Sequence, residues 1–347
     1  MQDNKLLSIV IPAYNMEKLL HRCLDSILVE SVMDKVQVIV VNDGSKDKTS
    51  EIAHEYEKKY PHYIQVIDKD NGNYGSCMNV GLSLATGKYF RTLDADDWYD
   101  TSLYESYIDQ LSQSDADLIL SERLEVKLKT NWRSHVAFDS TVMTNVDLPL
   151  SSDFWKNQSI LKVAYVMGFA YKTDLIRKSQ LRWTENSFFT DAEYCVWPLP
   201  FVNTIRFVPI PLYVYVRDVV GQSTDSSVRG RNLEHFARVS NKIVNYYLCH
   251  KDNDSIAGLM EKFLVSDLLN NIYVTLILDG QKYQNTIDIF EKLLKKAPEL
   301  YRRTGLYCHY RHFKHVDLYR NNRLKYYLIR LDYLIRKNKF LRSFLGK

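Results

Sequence analysis

The chain has 347 residues, 46% of them apolar and 25% charged, a composition typical of a globular protein with one large domain or two domains. Its five cysteines lack CxxC spacing, which argues against a disulfide framework and a structural zinc site, and no run approaches the ~18 apolar residues of a membrane span. The net charge of +4 is uneven, because residues 302–347 carry 13 basic and 2 acidic side chains whereas residues 1–301 are net negative.

Apolar runs of strand length alternate with segments of helical spacing along the first 120 residues. Strands are predicted at residues 6–11, 36–41, 63–67, 88–93 and 117–120, and helices at 17–29, 47–60, 76–85 and 101–111. This alternation predicts an α/β fold with a mostly parallel sheet and helices on both of its faces. Residues 125–160 are polar and are expected to be irregular, and a further strand is predicted at 211–217.

Polar residues follow each of the first four strands, where the carboxyl ends of parallel strands converge on one edge and bind ligands. No G-x-G-x-x-G and no G-x-x-x-x-G-K-[ST] is present, so a dinucleotide fingerprint and a P-loop are both excluded. The four polar segments are Pro12-Ala13-Tyr14-Asn15, Asp43-Gly44-Ser45, Asp70-Asn71-Gly72-Asn73 and Asp94-Ala95-Asp96.

Three aspartates, Asp94, Asp96 and Asp97, lie within four residues of one another. Carboxylates packed this closely repel one another, and a hard cation such as Mg²⁺ or Mn²⁺ would neutralise them. The alternative is a solvated acidic turn that caps the helix beginning near Thr101.

Three stretches resemble, in order, the inverting glycosyltransferases of family 2, which have the GT-A fold: SIVIPAYNMEKLLHRCLDSI, VIVVNDGSKDKT and NGNYGSCMNVGLSLATGKYFRTLDADDW. The resemblance implies a Rossmann-like GT-A domain at residues 1–225 that binds a nucleotide-sugar and carries out catalysis, followed by a helical region at 226–347. It also implies metal-dependent transfer of a sugar from a nucleotide-sugar, with a UDP-sugar as the first candidate, to an acceptor hydroxyl. Assembly of a surface polysaccharide or glycolipid is the expected context, and an inactive nucleotide-sugar-binding or glycan-binding module is the alternative.

The resemblance assigns roles to individual residues at the sheet edge. Asp94 and Asp96 are the implied metal ligands, with Asp96 as the more direct one. The other residues implied to bind the nucleotide-sugar are Pro12, Tyr14 and Asn15 at the nucleoside, Asp43 at the base, and Asn71, Gly72 and Ala95. Family members often carry Arg-Asn where this chain has Met78-Asn79, so a basic contact is either lost or supplied by another residue.

Asp191 is the implied general base, because the family places this group in a Glu-Asp pair at the start of a helix. The chain departs from this pattern with Thr190 in place of the Glu, and Glu193 is the second candidate. The alternative role for Thr190-Asp191 is to begin a helix as its N-cap and first turn.

Two further side chains have open assignments. Arg217 resembles a family arginine that offers positive charge to the leaving diphosphate, and the alternative is an ordinary surface arginine. Trp98 offers an apolar face for a sugar ring of the acceptor, and the alternative is ordinary packing.

Helical spacing continues from about residue 232, and residues 322–345 form a basic amphipathic pattern rich in leucine and tyrosine. This pattern predicts a peripheral contact of residues 302–347 with an anionic membrane surface. The alternative is packing on the protein body or on a sister subunit, which would make the protein a homo-oligomer. No nucleic-acid motif accompanies the charge, so nucleic acid is not expected as a partner. Free thiols and the absence of a signal-peptide pattern predict a cytoplasmic protein, which the basic segment would hold on the inner face of the cell membrane.

Overall fold

The computed structural model describes residues 5–217, 233–263, 292 and 295–297. The chain divides into two compact units, one made of Met1–Gly221 and His250–Met260, the other of Gln222–Cys249 and Glu261–Lys347. The domain boundary expected at residue 225 stays a prediction, because it falls between the described ranges.

Ten strands lie in the described part of the first unit. They are β1 (Leu7–Ala13), β2 (Val36–Asn42), β3 (Ile64–Asp68), β4 (Tyr89–Thr92), β5 (Trp98–Tyr99), β6 (Leu118–Lys127), β7 (Trp132–Val136), β8 (Asp147–Pro149), β9 (Phe169–Lys172) and β10 (Thr204–Val216).

Nine α-helices are found among the described residues, together with short 3₁₀ turns. The α-helices are α1 (Leu20–Asp25), α2 (Thr49–Lys59), α3 (Asn73–Leu84), α4 (Thr101–Ser112), α5 (Gln158–Val163), α6 (Thr173–Lys178), α7 (Asp191–Val196), α8 (Leu233–His250) and α9 (Asp254–Lys262).

The strands form one sheet in the order β3-β2-β1-β4-β9-β6-β10-β5, with β7 paired to β6 and β8 paired to β10. The four strands from β3 to β4 are mutually parallel, as the alternating sequence pattern predicts. β9 runs antiparallel to both β4 and β6, so β6 points in the same direction as β4. β10 is parallel to β6. The carboxyl ends of β1, β2, β3, β4, β6 and β10 therefore lie along the same edge of the sheet.

The centre of the sheet is covered on both faces. Successive residues of a strand point to opposite faces, and Ile9, Val10 and Ile11 of β1 are all fully buried. β2 shows the same continuous burial at Val38 and Ile39. Both strands are therefore enclosed, which is why their sequences are apolar throughout and do not alternate with polar residues.

The region from 125 to 160 is more regular than its polar sequence predicts. β6 continues to Lys127 and turns back into β7, so the charged residues near the start of this region belong to a β-hairpin. Glu125 is paired within its own strand and with the neighbouring one: Arg123 Nη2 on β6 lies 2.9 Å from Glu125 Oε1, and Arg217 Nη1 just after β10 lies 2.6 Å from Glu125 Oε2. The expectation of irregular structure was wrong for this hairpin. It took a polar, charged sequence as a sign of exposed irregular chain, whereas these charged residues lie in paired strands.

β10 begins at Thr204 and is longer than the strand predicted from residue 211. Its pairing with β6 shifts register between Val208 and Tyr213, and Pro209 and Pro211 lie within this irregular segment. Proline has no N–H to donate to a neighbouring strand, so it is accommodated where the ladder is interrupted. The two prolines concealed the first half of the strand in the sequence.

Helical structure follows the sheet, as predicted. In the second unit, Val239, Ile243 and Tyr247 of α8 are buried, which agrees with their helical spacing, and the Tyr247 hydroxyl donates to Glu261 Oε1 at 2.8 Å. The predicted amphipathic segment at 322–345 lies outside the described residues. Within the described ranges, every helix is too short or too polar to cross a membrane.

Candidate functional site

The three aspartates predicted as a cation site form a tight turn just after β4. The Asp97 N–H donates to the Asp94 carbonyl at 2.9 Å, which closes the turn. One oxygen from each of the carboxylates of Asp94, Asp96 and Asp97 lies within 4.8 Å of the other two. The structure therefore brings three potential metal ligands to the carboxyl edge of the sheet.

Asp97 is held by β10. Its Oδ2 accepts a 2.7 Å hydrogen bond from the Tyr213 hydroxyl, and its Oδ1 accepts one of 2.7 Å from the Val216 N–H. The Tyr213 oxygen also accepts a 3.1 Å hydrogen bond from the Asp94 N–H. Burial, together with the negative charge of Asp96, raises the pKa of Asp97 well above its usual range. Both Asp97 oxygens thus serve to hold the turn, which leaves Asp94 and Asp96 as the better metal ligands.

The crowding of negative charge affects the ionisation of Asp94. Burial, Asp96 and then Asp191 raise the pKa of Asp94 to about 8. A carboxyl that resists ionisation for these reasons lacks positive charge beside it, and a divalent cation would supply that charge. The donor set is composed of hard oxygen ligands, which suit Mg²⁺ or Mn²⁺. The residues present therefore fit the predicted metal.

Arg22 of α1 holds the other side of the turn. Its Nη2 donates to the Asp96 carbonyl at 2.7 Å, and its guanidinium carbon lies 4.3 Å from the ring centroid of Trp98. Burial lowers the pKa of Arg22, although the charges of Asp97 and Asp96 oppose this effect. The guanidinium thus supports the turn through the main chain.

Trp98 is half-buried and packs against its neighbours on two sides. It lies against Arg22 and against the apolar cluster of Val126, Val214 and Val216. Its predicted role at the acceptor sugar stays a prediction.

The loops after β1 and β2 are tied together where the resemblance places the nucleoside. Asn15 has a left-handed backbone (φ 54°), its Oδ1 accepts a 2.8 Å hydrogen bond from the Lys46 N–H, and its own N–H donates to Ser45 Oγ at 3.0 Å. Pro12 lies beside Val41 near the end of β1, and the Tyr14 side chain is exposed. These contacts hold the two loops against each other and leave the Tyr14 ring exposed beside them.

Asp43 lies at the centre of the neighbouring loops and is buried. Its Oδ1 accepts hydrogen bonds from Lys69 Nζ at 2.7 Å and from the Gly72 N–H at 2.9 Å, and Asn71 Nδ2 donates to the Asp43 carbonyl at 2.9 Å. Gly44 next to it has φ 71°, and a Cβ there would lie 3.0 Å from the Asn71 nitrogen. The left-handed backbone and the close approach of the two loops both favour glycine at this position.

Lys69 is a residue that the sequence analysis missed. Its ammonium contacts Asp43 and also donates to Ser76 Oγ at 2.8 Å, so it places a positive charge at the edge where the resemblance places the nucleoside. Met78, where the family often has an arginine, is fully buried in α3. A lysine at the end of a strand gives no signal in one sequence that distinguishes it from a surface lysine.

Asp191 lies at the first position of α7, as predicted, and close enough to Asp94 to raise the pKa of that residue. The Thr190 hydroxyl is buried, makes no N-cap hydrogen bond, and has no hydrogen-bond partner among the described residues. Thr190 therefore begins the helix without capping it through its side chain.

Glu193, the second candidate base, is fully buried and has a different function. Its Oε2 accepts a 2.8 Å hydrogen bond from the Thr184 N–H, and its Oε1 accepts one of 2.8 Å from the Thr184 hydroxyl. Glu193 thus fixes the loop that leads to Asp191. This arrangement favours Asp191 over Glu193 as the base.

Tyr74, in the first turn of α3, is a second residue that the sequence analysis missed. Its hydroxyl lies 3.0 Å from Thr92 Oγ1 at the end of β4. Burial, and then the charge of Asp94, raise its pKa, and Asp191 also contributes to this increase. The phenol is therefore close to both the proposed metal ligands and the proposed base. The sequence offered one signal for Tyr74: it comes two residues after Gly72, which the resemblance already assigns to the nucleotide-sugar site.

Arg217, at the end of β10, forms the ion pair with Glu125, and about half of its side chain (49%) is exposed. The pKa of the neighbouring Tyr215 is raised by burial and by the charge of Asp97, and it is lowered by the charge of Arg217. Arg217 is thus near the aspartate turn, and its contact with a diphosphate stays a prediction.

Comparison with known proteins bears on this edge of the sheet. Residues 8–170 match the model of the family described as glycosyl transferase family 2. Residues 8–170 form a family 2 glycosyl transferase domain. This domain contains the four loops and the aspartate turn, and it confirms the family predicted from the sequence motifs.

Three known proteins resemble this chain over much of its length. The uncharacterized glycosyltransferase EpsJ of Bacillus subtilis is 26% identical over 212 residues, which are 60% of this chain and 60% of EpsJ. The crystal structure of S. aureus TarS 1–349 in complex with UDP-GlcNAc superposes with a TM-score of 0.64 at 18% identity, covering 94% of this chain and 91% of TarS 1–349. The mannosyltransferase PcManGT of Pyrobaculum calidifontis, in complex with GDP-Man and Mn²⁺, gives a TM-score of 0.51 at 16% identity over 94% and 86% of the two chains. The likeness to TarS confirms the predicted GT-A fold of the family 2 domain.

Proposed function

We propose that this protein is an inverting glycosyltransferase that moves a sugar from a nucleotide-sugar, with a UDP-sugar as the first candidate, to an acceptor hydroxyl. The observation that carries the proposal is the proximity of Asp191 to Asp94, whose carboxylate lies beside that of Asp96, although Asp191 comes from a distant part of the chain. This reaction needs carboxylates that hold a metal ion at the diphosphate, and Asp94 and Asp96 suit that role. It also needs a nearby base, and Asp191 suits that role.

The donor would occupy the loops that follow β1, β2 and β3. Tyr14 offers an exposed ring, and Asp43 with Lys69 offers paired charges for a base and ribose. Asn71 and Gly72 line the same loops through their contacts with Asp43. The diphosphate would then extend toward Ala95 and the aspartate turn, which begins at the next strand of the sheet.

Asp94 and Asp96 would hold Mg²⁺ or Mn²⁺. When bound, the cation would offset the negative charge that develops on the leaving diphosphate. Tyr213 and Arg22 support this chemistry by holding the turn that carries both ligands, through Asp97 and the Asp96 carbonyl respectively.

Asp191 would accept the proton of the acceptor hydroxyl. As the acceptor oxygen forms its bond to the anomeric carbon, the bond from that carbon to the diphosphate oxygen breaks, and the electron pair leaves with the diphosphate. A single displacement from the opposite face inverts the anomeric configuration. Arg217 would add positive charge near the departing diphosphate, and Trp98 would contribute to the acceptor side.

A surface polysaccharide or glycolipid is the proposed acceptor. The basic segment at 302–347, which lies outside the described residues, supports an anionic membrane surface as a partner. Scattered cysteines without disulfide spacing support a cytoplasmic location. The alternative is that the apolar residues of the same segment pack on a sister subunit, which would make the protein a homo-oligomer.

Purified protein screened against a panel of UDP-sugars and GDP-sugars with Mn²⁺ tests the proposal through metal-dependent hydrolysis and thermal stabilisation. We expect Asp96→Asn to lose the metal-dependent stabilisation by donor, and Asp191→Asn to keep it while losing turnover. Asp109→Asn, on the exposed surface of α4, is the matched control and should behave as wild type. Full turnover by Asp191→Asn would remove that residue from the reaction.

An inactive binding module is the second candidate, and Thr190 in place of the family's glutamate favours it. In that case the wild-type protein would bind UDP in the presence of Mn²⁺ and turn over no member of the panel. The same screen therefore separates the two functions.

A further inference from the structure

The hairpin of β6 and β7 ends in an exposed segment, residues 127–133, which we name the β6–β7 tip. A 3₁₀ turn at Leu128–Thr130 and Asn131 in the left-handed conformation (φ 50°) reverse the chain. Every residue of the tip is exposed. The tip therefore contributes little to the core and is accessible from solvent.

The composition of the tip is cationic and amphipathic. Lys127, Lys129 and Arg133 carry positive charge, and no acidic residue occurs between positions 126 and 138. Leu128 is 49% exposed and Trp132 is 40% exposed, and both belong to the few large apolar side chains on the described surface. The tip thus combines two exposed apolar side chains with three cations, and Lys127 Nζ lies 5.3 Å from the centroid of the Trp132 ring.

The acids at the base of the hairpin do not cancel this charge. Glu122 Oε2 lies 2.7 Å from His135 Nε2, and Glu125 is bound by Arg123 and Arg217. Both glutamates are buried, and their carboxylates contact partners within the sheet instead of the cations of the tip. The positive charge of the tip therefore faces solvent.

The tip projects from the edge of the sheet that carries the proposed active site. β6 points in the same direction as β4, and Val126 pairs with Val216 one residue before the tip begins. The Val216 N–H is the group that donates to Asp97 Oδ1 at 2.7 Å. A surface that binds the tip would consequently lie beside the aspartate turn.

We propose that the β6–β7 tip docks on the anionic surface of a membrane. Lysine and arginine are attracted to anionic headgroups, and tryptophan favours the boundary between headgroups and acyl chains, where its ring is buried and its N–H stays solvated. A soluble phosphate polymer would use the cations equally well but offers no apolar layer for Leu128 and Trp132. The two apolar side chains are the reason for choosing a membrane.

Trp132 makes the proposal testable in the full-length protein. Of the five tryptophans in the chain, Trp132 is the exposed one, whereas the other four are buried or half-buried, and the basic segment at 302–347 contains none. Quenching of tryptophan fluorescence by vesicle lipids with brominated acyl chains therefore reports the tip and not the C-terminal segment.

The experiment compares vesicles of phosphatidylcholine with and without phosphatidylglycerol. We expect binding to the anionic vesicles, quenching by brominated chains, and loss of the quenching in Trp132→Phe. The double variant Lys127→Gln/Lys129→Gln should lower the partition coefficient about 25-fold, since each cation near an anionic leaflet contributes about fivefold. Lys58→Gln/Lys59→Gln, an exposed pair at the end of α2 with the same charge change, is the matched control and should show a much smaller decrease.

Three results would overturn the proposal. Binding without bromine quenching would mean that another surface makes the contact. An equal decrease in the two lysine double variants would mean that only net charge matters. Binding of polyphosphate without binding of anionic vesicles would assign the tip to a soluble polymer. None of these results depends on turnover, so they leave the proposed glycosyl transfer untouched.

Discussion

The Tyr213 hydroxyl donates a 2.7 Å hydrogen bond to Asp97 Oδ2, and this contact joins β10 to the aspartate turn from a position more than one hundred residues away. Tyr213→Phe would leave a buried carboxylate oxygen without this donor. We expect the free energy of unfolding to fall by about 1–3 kcal/mol, measured by urea denaturation.

Tyr99→Phe is the control for this substitution. The Tyr99 hydroxyl is also buried, but it has no hydrogen-bond partner among the described residues. Its removal should leave the stability unchanged or slightly increased, because no hydrogen bond is lost. Equal losses in the two variants would contradict a stabilising role for the Tyr213–Asp97 contact.

Tyr74 and Thr92 should be coupled energetically, because their hydroxyl oxygens lie 3.0 Å apart. A double-mutant cycle with Tyr74→Phe and Thr92→Val should give a coupling of about 0.5–1.5 kcal/mol in the free energy of unfolding. Tyr74→Phe should also slow metal-dependent donor turnover, since the phenol lies near Asp94 and Asp191. Additive losses of stability in the double variant would show that the hydrogen bond between the two hydroxyls does not contribute to the free energy of unfolding.

Glu193 and Asp191 should separate stability from activity. Glu193→Ala removes two hydrogen bonds and leaves the N–H and hydroxyl of Thr184 without their acceptor, so we expect a loss of about 2–4 kcal/mol. Asp191→Ala removes a half-buried carboxylate that repels Asp94 and should change the stability by less than about 1 kcal/mol. Thermal unfolding of both variants gives the comparison, and the opposite order would contradict these roles.

His54 should make the stability depend weakly on pH. It bridges Asp68, 2.7 Å from Nε2, and Glu57, 2.8 Å from Nδ1, and the hydrogen bond to Asp68 followed by that to Glu57 raises the pKa of His54. A raised histidine pKa stabilises the fold fully below the unfolded value of about 6.5, and this contribution disappears as pH rises through the folded value.

The difference in unfolding free energy between wild type and His54→Gln should therefore shrink as pH rises from about 6 to about 8. The effect should stay within about 1 kcal/mol, because the side chain is 45% exposed and solvent screens the pair. His62→Gln, at an exposed position, is the control. A difference that grows with pH would refute the assignment.

The parallel half of the sheet could be predicted because its strands are local apolar runs, such as Ile9 to Ile11, that stay buried on both faces. The reversal of β9 and the length of β10 could not, since strand direction and the register shift around Pro209 depend on partners far along the chain. Charge also misled the reading of β6, where Glu125 is buried by its arginine partners.

The candidate site shows the same division. Motifs identified Asp94, Asp96 and Asp191 as separate pieces, and the family resemblance assigned their roles. Lys69 and Tyr74 were missed, because their relevance lies in contacts with Asp43 and Thr92 that a single sequence does not encode locally.

The sequence by itself determined the family, the acidic turn and the order of the loops, because these follow from short-range patterns of apolar and charged residues. Only the tertiary structure decided which carboxylates act as supports. Asp97 and Glu193 look no different from Asp94 and Asp191 in the chain, but hydrogen bonds from Tyr213 and Thr184 occupy their oxygens. The physical reason is that a carboxylate's function depends on the donors packed around it, and the fold brings those donors from distant positions.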